Sequence, residues 1–268
     1  MIPGKIMRMY RILRKSTGNA VIVAMDHGGF AGPMEGIIKP GETIKKVIEG
    51  GADAMLLNAG IIEKFADVIA GQIGVIMRID IGGTIFNPLE DRRNYMYNTI
   101  ESAVKLGADG VIVMGFIGSR YELENMSVLS TVIEEAREYG LVAVVETWPS
   151  GPKVPSSHDV KAVKVAARVA AELGADMIKT FYTGDPKTFK EVVEGCPVPI
   201  LILGGPKRES VREVFEDIKG AMDAGAHGVI FGRNIWQAKD PAKMVKAIAK
   251  IVHENASVDE ALEILESD

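Results

Sequence analysis

A single cysteine, Cys196, occurs in the 268 residues. One thiol excludes an intrachain disulfide and fits a reducing, cytoplasmic setting. Histidine is scarce as well. The four are His27, His158, His227 and His253, and none has the HxxxH-type spacing of a metal pair, so no metal or other cofactor is expected. No apolar run approaches a membrane span, so no membrane partner is expected. Basic residues do not exceed acidic ones: Lys and Arg number 31 against 36 Asp and Glu, for a net charge of −5. Without a basic excess to neutralise phosphates, nucleic acid is not expected as a partner. Met1–Lys15 carries Lys5, Arg8, Arg11, Arg14 and Lys15 but no long apolar stretch, so no signal peptide is expected. The spacing of Ile6, Met9, Tyr10 and Leu13 predicts a short leading helix.

What the chain has is repetition. Gly-Ala-Asp-Ala-Met-Leu-Leu (51–57), Gly-Ala-Asp-Gly-Val-Ile-Val (107–113), Gly-Ala-Asp-Met-Ile-Lys (174–179) and Gly-Ala-His-Gly-Val-Ile-Phe (225–231) are four versions of one pattern. Each follows a helical stretch and opens an apolar run, as a glycine at a helix C-terminus followed by a tight loop and a buried strand would do. Ala20–Met25, Gly74–Ile79, Leu141–Val145 and Pro199–Leu203 lie between the copies and bring the number of predicted strands to eight. The strands are continuously apolar, as parallel strands buried on both faces must be. Amphipathic helices are predicted at Glu42–Glu49, Asn98–Leu106, Val128–Tyr139, Val160–Leu173, Thr188–Glu194, Ser210–Ala224 and Pro241–Glu254, with a short one in the tail at Ser257–Leu265. Eight alternations in this length predict an α/β fold, a single (β/α)8 TIM barrel over residues 1–268. An open doubly wound sheet is the competitor. Its Gly-rich phosphate loop is missing after the first strand, where Met25-Asp-His-Gly-Gly-Phe30 stands.

In such a barrel the active site gathers at the C-terminal strand ends. Out-of-place polar residues fall there: Asp26 and His27 after the first strand, Arg78 and Asp80 at the third, Glu146 and Trp148 at the fifth, Lys179 in the sixth. Lys179 is the sharpest, an amine where a buried strand calls for Val, Ile or Leu. The bland alternative is a buried stem whose head pairs with an acid for stability. The functional reading is an amine made neutral by burial and a nearby cation, able to form a Schiff base with a carbonyl substrate. Asp26 is the best placed proton carrier; its plainer role is ion-pair partner of Lys179, and the two roles are compatible. After the seventh strand, Gly204-Gly205-Pro206-Lys207 offers unobstructed backbone N–H groups. After the eighth, Gly232-Arg233-Asn234 adds a guanidinium whose fork suits phosphate. Glycines serving tight turns alone are the alternative. His27 either bonds within the site or is structural, and the other histidines are peripheral. Arg78 and Asp80 are expected to pair with each other, a second phosphate on Arg78 being the other option.

The blocks Met25-Asp-His-Gly28, Gly32-Pro33, Ile178-Lys-Thr-Phe-Tyr-Thr-Gly-Asp-Pro-Lys-Thr-Phe189, Gly204-Gly-Pro-Lys207 and Gly232-Arg-Asn-Ile-Trp236 resemble the archaeal-type class I fructose-bisphosphate aldolases. That group also contains 2-amino-3,7-dideoxy-D-threo-hept-6-ulosonate synthase. The resemblance runs over nearly the whole chain. It implies a (β/α)8 barrel, a Schiff-base lysine at Lys179, an aspartate at Asp26, phosphate loops at Gly204, Gly205, Gly232 and Arg233, and a homo-oligomer working without metal. It departs at the fifth strand end. There the family has a proton-donating tyrosine followed by Pro-Arg-Gly, and this chain has Glu146-Thr-Trp-Pro-Ser-Gly151. Trp148 stands in the tyrosine's place and its indole N–H is no acid near neutral pH. Glu146, a carboxyl that burial can tune toward neutral pH, is the expected replacement, with Tyr182 a second candidate.

The expected function is therefore a metal-independent Schiff-base aldolase acting on a phosphorylated ketose, fructose 1,6-bisphosphate by default. Lys179, Asp26 and Glu146 are its catalytic residues. His27, Trp148, Gly204, Gly205, Gly232 and Arg233 bind substrate. A heptulosonate synthase-type transaldolase, toward which the tail Ile251–Ala256 and Val258–Leu262 leans, is one alternative. A non-catalytic sugar-phosphate-binding barrel is another.

Overall fold

The eight apolar runs form eight parallel strands that close on themselves. The computed structural model describes residues 2–87 and 93–267. In chain order the strands are β1 (Ala20–Ala24), β2 (Ala54–Asn58), β3 (Gly74–Arg78), β4 (Asp80–Ile81), β5 (Tyr95–Met96), β6 (Gly110–Gly115), β7 (Val142–Thr147), β8 (Met177–Thr180), β9 (Ile200–Leu203) and β10 (Gly228–Phe231). The barrel runs β1-β10-β9-β8-β7-β6-β3-β2 and closes, while β4 and β5 pair antiparallel in a separate two-stranded sheet. The expected (β/α)8 barrel is the fold.

Helices precede, separate and follow the barrel strands: α1 (Pro3–Ile12), α2 (Gly28–Ala31), α3 (Pro40–Glu49), α4 (Ala59–Lys64), α5 (Ala66–Ile69), α6 (Ile100–Lys105), α7 (Glu122–Tyr139), α8 (Val160–Glu172), α9 (Pro186–Glu194), α10 (Val211–Asp223), α11 (Arg233–Trp236), α12 (Pro241–Glu254) and α13 (Val258–Glu266). Several begin where a short polar side chain caps the first turn. Asp159 accepts from Ala162 N–H, Asp185 from Lys187 and Thr188, Ser210 from Glu213, and Ser257 with Glu260 forms a reciprocal capping box. Asp185 and Pro186 start α9 two residues earlier than periodicity predicts, and α7 begins six residues earlier, through the polar stretch Glu122–Ser127. There Asn125 is buried and accepts from Asn94 N–H at 3.2 Å, a tertiary tie that no helical periodicity announces. No described helix is long and apolar enough to cross a membrane.

Strand alternation divides the core in two. Ile22, Ala24, Leu56, Ile76, Ile112, Val142, Val144, Met177, Leu201 and Ile230 meet inside the barrel, and Ile12 of α1 joins them. The opposite set, such as Val21, Met55, Met77, Val113, Val145, Ile178 and Val229, packs beneath the helices. Each fully buried aliphatic side chain contributes on the order of 1.5–3 kcal/mol. Continuing the inward set by one more two-residue step past Ala24, Leu56, Ile76, Val144 and Met177 reaches Asp26, Asn58, Arg78, Glu146 and Lys179.

The repeated Gly-Ala-Asp serves the other end of the barrel. Its glycines, Gly51, Gly107 and Gly174, and Gly225 in the histidine version, all adopt positive φ, which ends each helix and turns the chain into the next strand. Each repeat aspartate then works with both oxygens. One oxygen of Asp53, Asp109 and Asp176 accepts the backbone N–H of Val21, Val75 and Ala143, at 2.7, 3.1 and 2.8 Å. The other faces a basic residue from the leading segment: Arg14 on Asp53, Arg11 on Asp109 and Lys5 on Asp176. The expected leading helix is present as α1, and its charges, with Arg14 just beyond it, clasp the barrel floor.

Candidate active site

Lys179 lies on β8 directly beside Glu146 of β7 in the parallel register. Their side chains form an ion pair, Nζ to Oε1 at 2.7 Å. Arg78, Glu146 and Lys179 are each 6% exposed, so the pair sits at the barrel's catalytic end with little water around it. The acid beside Lys179 is therefore Glu146 rather than Asp26, and the neighbour of the amine is an anion rather than the expected cation.

Arg78 of β3 organises the rest. Its Nε donates to Asp26 Oδ2 at 2.9 Å, its Nη1 to Asp80 Oδ1 at 3.2 Å, and its Nη2 to Glu146 Oε2. The predicted pairing with Asp80 is there, and two further carboxylates share the same guanidinium. With all three nitrogens engaged, Arg78 is poorly placed for a second phosphate. Asp80 uses its other oxygen on Met114 N–H at 2.7 Å, tying β4 to β6. Asn58 Nδ2 donates to the Asp26 carbonyl at 2.8 Å, and Tyr97 Oη donates to Asn58 Oδ1 at 3.1 Å.

Charge states follow from these partners. Burial opposes the charge of Asp26, but Arg78, with Lys179 behind it, holds the carboxyl far below the ordinary range. Burial also opposes the charge of Glu146, and Lys179 and Arg78 outweigh it and lower its pKa. Glu146 is thus an ionised base in the resting site, which corrects the expectation of a carboxyl tuned toward neutral pH. Asp80 goes the other way: burial raises it beyond what Arg78 offsets. Arg78 is raised well above its ordinary value, burial being overcome by Glu146, Asp26 and Asp80.

The expected phosphate loops lie together. Asn234 Nδ2 donates to the carbonyls of Gly204 at 2.8 Å and Pro206 at 3.2 Å, and its Oδ1 accepts from Arg208 N–H at 2.9 Å, so the loop after β9 is stitched to α11. A Cβ on Gly232 would meet His27 Cε1 at 2.6 Å and Ala24 O at 2.9 Å, and Gly205 adopts φ +62°. Both positions need glycine for reasons beyond a generic turn. Arg233 is half-buried, and its buried Nε has no hydrogen-bond partner among the described residues. Burial alone lowers its pKa, leaving a guanidinium whose buried donor is unmet at the loop pair.

The remaining predicted residues fall on two sides. His27 is wedged between Phe30 and Trp236, ring centroids 5.4 and 5.3 Å away, with Nδ1 at a long 3.4 Å from Asp26 Oδ1. It packs beneath Gly232 and shapes the loop. Trp148 is 37% exposed at the rim, edge-on to Phe181 at 4.9 Å. His158, read as peripheral, also stands edge-on to Phe181 at 5.0 Å. Its Nδ1 lies 2.7 Å from the Tyr182 carbonyl, which can only accept, so Nδ1 carries the hydrogen. Tyr182 is not in the site. Its ring packs on Phe189 of α9, its hydroxyl lies against Gly220 of α10, and burial pushes its pKa up to about 12. The second candidate for proton donor is set aside by position. Among the described residues, no group of three or more His, Cys, Asp or Glu is placed to hold a metal ion.

Residues 20–238 match the model of the DeoC/LacD family aldolases. The chain belongs to that family. It is 37% identical to an uncharacterized aldolase of Saccharolobus solfataricus, over 98% of this chain and 99% of that one. It is 33% identical to the class 1 fructose-bisphosphate aldolase of Thermoproteus tenax, over 92% and 94% of the two chains. It is 35% identical to the 2-amino-3,7-dideoxy-D-threo-hept-6-ulosonate synthase of Halobacterium salinarum, over 97% and 95%. A solved Schiff base-forming fructose-1,6-bisphosphate aldolase superposes with a TM-score of 0.86 at 33% identity, over 93% of this chain and all of that one. As a DeoC/LacD family member the chain is a class I aldolase, an aldehyde-lyase, and the non-catalytic alternative falls away.

Proposed function

We propose that this aldolase cleaves and forms a phosphorylated ketose through an iminium on Lys179, with fructose 1,6-bisphosphate as the default substrate. The observation that carries the reading is the buried ion pair of Lys179 and Glu146 inside the barrel mouth. Glu146 takes the proton of Lys179, and the neutral amine adds to the ketone carbon. The nitrogen of the adduct passes one of its protons to the former carbonyl oxygen, giving the carbinolamine, and Glu146, assisted by Asp26, returns the other to that oxygen, which leaves as water. The iminium nitrogen then carries the positive charge that Lys179 held before. Glu146, again a carboxylate, removes the proton of the carbinol hydroxyl; the C–C bond breaks, the aldehyde leaves, and its electron pair enters the iminium to give an enamine. Arg233 and the backbone N–H groups of Gly204, Gly205 and Gly232 hold the phosphate, while His27 and Trp148 bound the substrate space.

Borohydride reduction in the presence of dihydroxyacetone phosphate tests this. The expected result is a covalent adduct on the peptide containing Lys179, absent in Lys179→Met. An unmodified Lys179 under turnover conditions sinks the proposal.

The heptulosonate synthase reaction is the second reading. It is favoured by the Halobacterium relative and by the tail, which forms the end of α12 and α13. Parallel assays with the two aldehyde partners separate the readings. The exposed Ile2, Ile6, Met7 and Tyr10 of the α1 region support the expected homo-oligomer, which sedimentation velocity measures.

A further inference from the structure

We propose that Arg78 is the positioning residue of this site: it fixes Glu146 with one oxygen on its own guanidinium and the other on Lys179, and it holds Asp26 beside them, so that the proton of Lys179 has a single acceptor in a single place. The proposal rests on the reading of Lys179 as the Schiff-base nucleophile.

The geometry is a bridge across the barrel mouth. Arg78 comes from β3, Asp26 follows β1, Glu146 is on β7 and Lys179 on β8. These elements do not all adjoin in the barrel order, and the guanidinium is what joins them. Each carboxylate is held at both ends or at a fixed edge. Glu146 has Arg78 on Oε2 and Lys179 on Oε1; Asp80 has Arg78 on Oδ1 and the Met114 N–H on Oδ2; Asp26 has Arg78 on Oδ2 and His27 facing Oδ1. The groups facing Arg78 are then Asp26 from the end of β1, Asp80 from β4, Glu146 from β7 and Tyr97 just beyond β5, with His27 and Lys179 one contact further, on Asp26 and Glu146.

Removing the guanidinium would leave three buried carboxylates facing one ammonium. Carboxylates crowded in one site cannot all ionise, so at least one would take up a proton and the acceptor for Lys179 would no longer be defined. A lysine at position 78 would keep one charge but not the planar fork that reaches three acids at once. All three guanidinium nitrogens of Arg78 are taken by carboxylates, so in this proposal it acts through Glu146.

The test uses Arg78→Lys, and Arg78→Met combined with Asp80→Asn so that no second carboxylate is stranded. Thermal melting first establishes that each is folded. The readout is the rate of solvent deuterium exchange into dihydroxyacetone phosphate, followed across pH, together with its KM and the borohydride adduct on Lys179. For Arg78→Lys the expected result is a turnover about 100-fold lower at little-changed KM, the cost of a misplaced group rather than of lost binding. For the double variant, the acid limb of the exchange profile moves to higher pH, because a cation that lowered Glu146 is gone. Turnover and acid limb unchanged in the folded variants overturn the proposal. So does a rise in KM alone, which would make Arg78 a phosphate ligand. Should the double variant not fold, Arg78→Lys decides by the split between turnover and KM. If the unaltered protein forms no adduct at Lys179, the aldolase reading itself fails and this proposal with it. An adduct in the unaltered protein with unaffected variants removes only the role of Arg78.

Discussion

Glu146 stands between two cations, and that decides which half of its acid–base cycle comes first. Lys179 and Arg78 hold it ionised, so in the proposed cycle it begins as a base and becomes an acid only after accepting the proton of the amine. Glu146→Gln keeps the shape and removes the proton acceptor. Turnover is expected to fall by about 10²–10⁴-fold, measured as dihydroxyacetone phosphate exchange or cleavage. Tyr182→Phe, whose hydroxyl lies against α10, should leave turnover near that of the unaltered enzyme, and a large loss would return Tyr182 to the chemistry. The direction of the shift also sets the pH dependence. Glu146 and Asp26 are lowered, so their contribution to stability is full above the ordinary carboxylate range near pH 4 and is lost as pH falls through their folded values. Asp80 is raised and has the opposite sign, its protonation relieving a buried charge as pH falls. The acid limb of the exchange rate is accordingly expected below about 4.3, the ordinary glutamate value, in a pH–rate profile. Lys179 and Asp26 were legible because each interrupts or directly follows an apolar strand. The reach of Arg78 was not, since its partners Asp26 and Glu146 lie 52 and 68 residues away and meet it only once the barrel has closed. The two-residue alternation of Ile76 and Arg78 did contain the clue, because it points the guanidinium inward.

At the scale of elements, the Gly-Ala-Asp repeat was legible as a turn and strand opener but not as a clasp. Its aspartates looked like ordinary loop acids. Their second role depends on the leading segment, α1 and the two residues after it, whose basic residues recur about every third position and come to lie beneath the barrel. The three pairs are not equal. Lys5 and Asp176 are both largely shielded, with side chains 7% and 13% exposed, whereas Arg14 is 42% exposed. Lys5→Met strands a shielded carboxylate and is expected to cost about 3–5 kcal/mol. Arg14→Ala is expected to cost under about 1 kcal/mol. Urea denaturation midpoints check both, and dihydroxyacetone phosphate exchange should be unchanged in each, since the clasp lies at the barrel end opposite Lys179. The antiparallel pair β4–β5 was not foreseen. It is only two residues long per strand and carries Asp80 to its place beneath Arg78, so its signal is a single buried acid rather than a periodic pattern.

Over the whole molecule, the barrel separates two kinds of electrostatics. At the proposed phosphate loops Lys207 is exposed and Arg233 half-buried, while Asp26, Arg78, Glu146 and Lys179 are buried. An iminium supplies the electron sink that a bound metal would otherwise provide, so cleavage activity is expected to persist in excess EDTA, assayed against untreated enzyme. In the proposed cycle the proton that leaves Lys179 goes to Glu146 and then to the departing oxygen, so the cluster's total charge is the same at every stage from ion pair to iminium. Salt in the medium acts on charges that face it and is excluded from those that do not. Capture of a doubly charged phosphate should therefore weaken as sodium chloride is raised, while the rate at saturating substrate stays flat. A stopped-flow series at increasing ionic strength would separate the two, and the barrel would reveal itself as an enzyme whose encounter is governed by its solvent and whose chemistry is insulated from it.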